Sequence, residues 1–349
     1  MSQEPGVSIC VPVFNGEEFL AETLDSIVRQ TYPHREIIVA DNASTDRTPE
    51  IVKTFMRDHP IRHERSETFL ELSEENCNRC INLAQNNLVC IYHDDDVYEP
   101  DIVARCAGVM TEHPEVGAVF TMARVIDERG REVSRYRLPG ELKRLNKTVF
   151  HLDEIFKAVL KNENSFLVCP SVMLRKSVIE RLGGWEHEHY RFTSDLGLWF
   201  KIARDYPVAI IDEPLVRYRI SPQQGSQRIT RERTERDGYL KVIEDFMPQI
   251  NTDGFEKYYW ASCIKDLGFR ALNLSAAGNI PESRTLARQA IKEFWKRARD
   301  VWSIRRAVFW FIVSLFLSGI NALPFGGLRR CYCSTVVRLL NLKKKVIAY

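Results

Sequence analysis

An α/β fold, with helices on both faces of its sheet, is predicted by three features of this chain. Short apolar runs alternate with amphipathic stretches at helical spacing between residues 7 and 219. The gaps are short, as in the strand–helix–strand units that build a parallel sheet. Carboxylates gather where apolar runs end, and in such sheets ligands bind at the carboxyl ends of strands.

In chain order, Val7–Val13 reads as a buried first strand, broken by Phe14-Asn15-Gly16. Residues 17–30 set Phe19, Leu20, Leu24, Ile27 and Val28 on one helical face, with acids in the first turn. Ile37–Ala40 is a second strand, ending at Asp41-Asn42-Ala43-Ser44. Thr48 with Pro49 opens a helix running to about His59. Asn76–Asn86 reads as helix, Leu88–Tyr92 as strand, Asp101–His113 as helix and Val116–Met122 as strand. Residues 124–170 are less regular. Ser171–Arg175 is a strand, Val178–Leu182 a short helix stopped by Gly183-Gly184, and Ser194–Asp205 an amphipathic helix. Val208–Ile211 is a strand leading to Pro214–Arg219, and from about Ser226 the pattern is all-helical. The expected domains are 1–225 (α/β), 226–300 (helical) and 301–349 (basic and apolar).

A length of 349 residues, 44% apolar and 28% charged, suits a globular protein of two domains, or one with an appendage. The net charge of +2 hides an asymmetry: residues 291–349 hold twelve Lys/Arg against two Asp/Glu, which leaves −8 on the rest. A basic tail implies an anionic partner. Within it, Ala307–Phe325 carries no charge and lies between Arg305-Arg306 and Arg329-Arg330. Its 19 residues barely span a bilayer, and Ser314, Ser318, Gly319, Asn321 and Pro324 weaken it further. It reads as an interfacial or re-entrant membrane helix, a true span or a buried core helix. Trp302, Trp310 and Lys343–Lys345 favour attachment to a membrane surface. A nucleic-acid partner is excluded, because the basic residues surround an apolar segment. The nine cysteines are scattered, and Cys77-x-x-Cys80 lacks a second pair at zinc spacing, so core thiols are expected. The polar start and short apolar run before Asn15-Gly16 do not read as a secretory leader. A reducing, cytoplasmic location at the inner face of the cell membrane is therefore expected.

The most informative stretch is His93-Asp94-Asp95-Asp96, entered directly from Leu88–Tyr92. Like charges this close repel and raise one another's pKa. A divalent cation with oxygen ligands would reverse that cost and would also hold a phosphorylated substrate. The alternative is a solvated turn, or a helix cap with Glu99 and Pro100. Phe14, Asp41 and the acids all stand at strand ends, so three segments converge on one crevice.

Val7 through Asn15, Asp41 through Asp46, Asn76 through Cys80, His93 through Asp96, Gly183-Gly184-Trp185 and Ser194 through Trp199 occur in that order. Together they resemble the family 2 glycosyltransferases over roughly residues 6–222. The resemblance implies a GT-A nucleotide-diphospho-sugar transferase fold, with a Rossmann-like sheet, and a C-terminal helical, membrane-associating region. It places Pro12, Phe14, Asn15, Asp41, Arg79 and Asp94 around a nucleotide-sugar: Phe14 near the base, Asp41 on base or ribose, and Arg79 facing the diphosphate. The base-stacking Phe could equally be core, Asp41 could close an Asx-turn with Asn42, and Arg79 could be an exposed helical residue. Asp46 is expected to organise its loop and the next helix start.

The acids match the family's Asp-x-Asp metal motif in either of two registers, His93-Asp94-Asp95 or Asp94-Asp95-Asp96. Asp95 and Asp96 are the implied ligands of Mg²⁺ or Mn²⁺. Asp195 matches the catalytic base, with Ser194 where the family usually has Glu; a helix cap is its alternative role. Gly184, Trp185 and Arg219 fall on the acceptor side, and Ser221 stands where the family often has His. A free Asp, with a pKa near 3.9, is a weak base at pH 7 but can take the proton late, as bond formation acidifies the hydroxyl.

The function implied is inverting transfer of one sugar from a nucleoside-diphosphate donor, UDP-linked, to a lipid-linked or cell-envelope glycan acceptor. The Gln-x-x-Arg-Trp element of processive synthases is missing, which argues for single addition. Two rivals stand beside it: nucleotidyl transfer, which lacks the expected Gly-rich, Lys-containing loop, and a catalytically degenerate membrane scaffold, suggested by Ser194, Ser221 and His93.

Overall fold

A computed structural model of the chain describes residues 4–163, 166–221 and 233–320. It divides into two compact units, Met1–Ile220 and Ser221–Tyr349. The first is built on a ten-stranded sheet. Its strands are β1 Val7–Val13, β2 Arg35–Asp41, β3 Ile61–Arg65, β4 Leu88–Ile91, β5 Val97–Tyr98, β6 Ala118–Ile126, β7 Glu132–Arg135, β8 Val149–Phe150, β9 Met173–Arg175 and β10 Val208–Arg219. The order is β3-β2-β1-β4-β9-β6-β10-β5, with β7 on β6 and β8 on β10.

The sheet is mixed, where the sequence suggested a parallel one. Strands β3, β2, β1 and β4 run parallel, as does β6 with β10. Between these halves β9 is antiparallel to both β4 and β6. The central strands are apolar without alternation: Ile9, Cys10, Val11, Val39, Val89, Cys90 and Ile91 are fully buried, so both sheet faces are covered. Helix α1 (Leu20–Val28) contributes Leu20, Leu24 and Ile27 to this core, and α4 (Ile102–Glu112) contributes Ile102, Val103 and Cys106. The other helices of this unit are α2 Thr48–Met56, α3 Ser73–Leu83, α5 Gly140–Lys143, α6 Leu152–Asn162, α7 Lys176–Leu182, α8 His187–Tyr190 and α9 Ser194–Asp205. Trp199 of α9 is buried edge-on against both Phe120 of β6 and Trp185, at centroid distances of 5.0 and 5.9 Å.

Strand β10 runs through Pro214 as one element; the register against β6 shifts on either side of the proline, where a donor is missing. Its last residue ties the unit together. Arg219 is buried; its backbone N–H donates to Asp96 Oδ1 (2.7 Å), and its guanidinium donates to Asp95 O (2.7 Å), Asp127 O (3.3 Å) and Glu22 Oε2 (2.6 Å). The guanidinium also lies 4.3 Å from the Phe19 ring centre.

The second unit is helical over its described residues, with α10 Gly238–Phe246, α11 Glu256–Ala276, α12 Ile280–Lys296, α13 Ala298–Val301 and α14 Arg305–Ile320. Ala307, Trp310, Phe311 and Leu317 of α14 are buried in a core with Phe269 and Leu272 of α11 and Ala290 and Phe294 of α12. Phe309, Ile312, Leu315 and Phe316 on the same helix are exposed. No described helix is long and apolar enough to cross a membrane. The expected boundary between residues 225 and 226, and the apolar segment beyond residue 320 with Lys343–Lys345, lie outside the described residues.

Replacing Arg219 by Met keeps the apolar stem and deletes the guanidinium. That should cost about 3 kcal/mol, because buried carbonyls lose their donor. The urea midpoint of the full chain measures it, and a midpoint equal to the parent's would show that the acidic loop does not depend on Arg219.

Candidate active site

Strand β1 ends in a loop that is stitched to the loop after β2. The β1–β4 ladder stops at Cys10 and Ile91, just short of Pro12, which has no N–H to give. Asn15 takes a left-handed conformation (φ 53°), which Asn tolerates. Its N–H donates to Ser44 Oγ (3.0 Å), and its Oδ1 accepts from Thr45 N–H (2.8 Å). Asp46 accepts from Thr48 N–H at the start of α2 and from Glu17 N–H, the organising role expected for it. Phe14 is 45% exposed, with its ring centre 4.5 Å from that of Phe69, itself half exposed. Two aromatic faces therefore stand together at this end of the sheet.

Asp41 is fully buried at the end of β2. Ser44 N–H donates to Oδ1 (2.8 Å), while Arg65 Nη1 (3.0 Å) and His63 Nε2 (3.3 Å) meet Oδ2. Burial pushes the carboxyl up, but His63, Ser44 and Arg65 more than offset it and bring it to about 2. Its carboxylate thus anchors β3 side chains and the β2 loop. Arg79 of α3 donates to Glu64 O (2.8 Å) and lies 3.4 Å from Asp41 O, bridging the ends of β2 and β3.

The acidic loop follows β4. Tyr92 and Tyr98 stack at its base with ring centres 3.9 Å apart. Thr23 Oγ1 on α1 lies 2.9 Å from Asp94 O and 2.7 Å from Asp96 O, and shares its proton between them. Asp94 turns toward the β1 loop. A Cβ on Gly16 would come within 2.5 Å of Asp94 Oδ2, so glycine is what lets the loop and the carboxylate meet. The remaining three side chains converge: ligand atoms of His93, Asp95 and Asp96 lie within 4.8 Å of one another. Asp96 Oδ1 is taken by Arg219 N–H, while Oδ2 is buried with no hydrogen-bond donor among the described residues and with His93 Nδ1 4.0 Å away. Burial and the Asp95 charge push Asp94 up to about 8 and Asp96 well above the usual range, and burial pushes His93 down. An orphaned carboxylate oxygen beside an imidazole and a second carboxylate is a donor set that fits a divalent cation.

Asp195 lies in the first turn of α9, where its Oδ1 accepts from Leu196 N–H (2.7 Å). Burial raises its carboxyl to about 6, with the Leu196 bond opposing and the charge of Glu74 adding to the rise. Beside it, Gly184 (φ 73°) and Trp185 are clamped to α3 by Asn78: Oδ1 accepts from Trp185 N–H (2.9 Å) and Nδ2 donates to Trp185 O (3.0 Å). A Cβ on Gly184 would strike Asn78 Oδ1 at 2.2 Å. Trp185 is buried against Trp199, and Arg219 is buried under the acidic loop. The cysteines Cys77 and Cys80 are free thiols, as expected.

The sequence reading missed Phe69, His63, Arg65 and Glu74. Only Phe69 left a signal, as an aromatic residue in a polar stretch; the other three act through contacts between distant segments.

The family model for glycosyl transferase family 2 matches residues 8–183, half of the chain. An uncharacterized glycosyltransferase of Rickettsia felis is 25% identical over 236 residues, 66% of this chain but 37% of the relative's own length. One from Methanocaldococcus jannaschii is 28% identical over 245 residues, 69% of this chain and 75% of that relative. Among solved structures, residues 1–349 of S. aureus TarS in complex with UDP-GlcNAc match with a TM-score of 0.58 at 15% identity, covering 90% of each chain. Its complex with UDP matches at 0.53, also at 15% identity, over 88% of this chain and 90% of that one. At these identities the likeness is one of fold, and it agrees with the GT-A architecture expected from the sequence. The chain belongs to glycosyl transferase family 2.

Proposed function

We propose that the protein is an inverting glycosyltransferase that moves one sugar from a nucleoside-diphosphate donor to a hydroxyl of a lipid-linked or cell-envelope glycan. The observation that carries this reading is the acidic loop with its orphaned Asp96 Oδ2, standing at the strand ends beside Phe14 and Phe69. His93, Asp95 and Asp96 would hold Mg²⁺ or Mn²⁺, whose charge offsets that of the departing nucleoside diphosphate. Phe14 and Phe69 offer π-faces for the base, and the UDP and UDP-GlcNAc complexes of TarS make UDP the carrier to test first.

Asp195 is the proton acceptor. The acceptor oxygen bonds to the anomeric carbon as the bond to the diphosphate breaks on the opposite face, and the hydroxyl proton passes to Asp195. Burial brings Asp195 closer to working pH than a free Asp, which makes it a better base than the sequence suggested. Gly184, Trp185 and the start of α9 form the acceptor side, with Trp185 acting by packing against Trp199. Arg219 shapes the loop from beneath, and Arg79 and Asp41 set the wall of the donor crevice.

The second unit supports membrane attachment. One face of α14 is packed, whereas Phe309, Ile312, Leu315 and Phe316 form an exposed apolar stripe with Trp302 and Arg305 alongside. A helix with one exposed apolar face suits the bilayer interface.

Asp195→Asn should lower kcat by about 10³-fold while nucleotide affinity stays within experimental error. The parent's kcat/KM should fall as pH drops below about 6, where Asp195 takes a proton; undiminished turnover of the variant in a sugar-release assay would refute the assignment. In calorimetry, UDP should bind only with Mn²⁺ or Mg²⁺, and Asp95→Ala should remove that metal-dependent heat. Equal binding in EDTA would rule out the cation site. Full-length protein should sediment with vesicles containing anionic lipid. Ile312→Asp with Phe316→Asp should reduce the bound fraction severalfold, and an unchanged fraction would take α14 out of the contact.

A further inference from the structure

Glu74 belongs to the first turn of α3, 120 residues away from Ser194 in sequence, yet its side chain is only 12% exposed and points at the start of α9. One oxygen, Oε1, accepts from Ser194 Oγ (2.9 Å) and meets His187 Nδ1 of α8 (3.0 Å). With the carboxylate ionised, His187 is the donor. Three elements (α3, α8 and α9) therefore meet on a single carboxylate oxygen, one residue before the half-buried Asp195.

We propose that Glu74 is a positioning residue for Asp195, fixing the first turn of α9 through Ser194 and strengthening Asp195 as a proton acceptor through its charge. The inference rests on the reading of Asp195 as the base of sugar transfer.

Glu74 is the charge that adds to the rise at Asp195. Cys77 of α3 and Cys169, in the 3₁₀ turn before β9, also share the electrostatics of Asp195. Burial pushes Cys77 up to about 12 and Cys169 well above its usual range, so both remain neutral thiols. Glu74 itself stays ionised. Burial pushes it up, but His187, its own helix N-terminus, Ser194 and Ser73 bring it below the usual carboxylate range. One carboxyl is held low and the other high, as in acid–base pairs whose environments separate their roles. Removing a negative charge beside Asp195 lowers the pKa of Asp195.

The test compares Glu74→Gln with Glu74→Asp by the pH profile of kcat/KM. Gln keeps the shape and the acceptor oxygen; Asp keeps the charge and loses reach. The expected result is that the acid limb of Glu74→Gln moves down by about one pH unit, whereas Glu74→Asp retains the parent's limb at reduced kcat. KM for the donor should stay within twofold in both. A role in shape alone predicts the reverse order, with Gln the better replacement, and either that order or coincident limbs would overturn the inference. Calorimetric binding of UDP with Mn²⁺ reports on folding. Should Glu74→Gln lose it, Ser194→Ala takes its place: the charge stays and the tether to α9 goes, so kcat should fall severalfold with the acid limb unmoved, and an unchanged kcat would count against the inference. Asp195→Asn is run alongside. If it turns over normally, the reading of Asp195 has failed; if it is dead and the Glu74 limbs coincide, only the role of Glu74 has.

Discussion

The acidic loop after β4 is the constraint on which the rest of the first unit depends. Carboxylates packed this closely, with little water, raise one another's pKa and resist burial. The fold tolerates them because the carbonyls of all three are engaged. Thr23 holds two loop carbonyls, Arg219 holds a third, and the Arg219 N–H takes one oxygen of Asp96. The side chains are thus turned together while their positions are set from α1 and from the last residue of β10. A loop stabilised by its own side chains would have no reason to leave Asp96 Oδ2 without a donor. That oxygen is the local cost on which the proposed cation site rests.

What was legible in the sequence follows from how local each signal is. Strands β1, β2 and β4 are mostly apolar runs because both of their faces are covered, and the acids stand out against them. Strand β3, Ile61-Arg62-His63-Glu64-Arg65, was invisible: it lies at the sheet edge, is mostly half-buried and carries one apolar residue. Its polar side chains are there to meet Asp41 and Glu36, a requirement that exists only once the sheet has formed. The irregular reading of residues 124–170 failed for a related reason. Strands β7 and β8 and helix α5 are two to four residues long, too short for any period to show. The longer α6 does carry helical spacing, at Ile155, Phe156 and Val159, and was missed inside that stretch.

The mixed sheet also explains how distant motifs come together. An all-parallel sheet would continue the first half strand by strand. Here antiparallel β9 sits between β4 and β6, so residues 169–205 return beside the acidic loop. The 3₁₀ turn before β9 and the clamp of Asn78 on Trp185 then fix both ends of the path to α9. Gly184 serves that clamp, since any side chain there would collide with Asn78.

The two carboxyl environments flanking α3 show the same physics used in opposite directions. Asp41, at one end of a strand, is buried but surrounded by Arg65, His63 and a backbone N–H, so burial leaves it a fixed anion and a structural post. Asp195 is half-buried with one backbone donor and an anion for a neighbour, so desolvation leaves it close to the point where it can gain or lose a proton. Burial is common to both, and the partners decide the outcome. A carboxylate held by Arg65 and by a backbone N–H has no reason to exchange protons near neutrality. One held near another carboxylate does, which is why the proposed proton transfer is assigned to α9 rather than to β2.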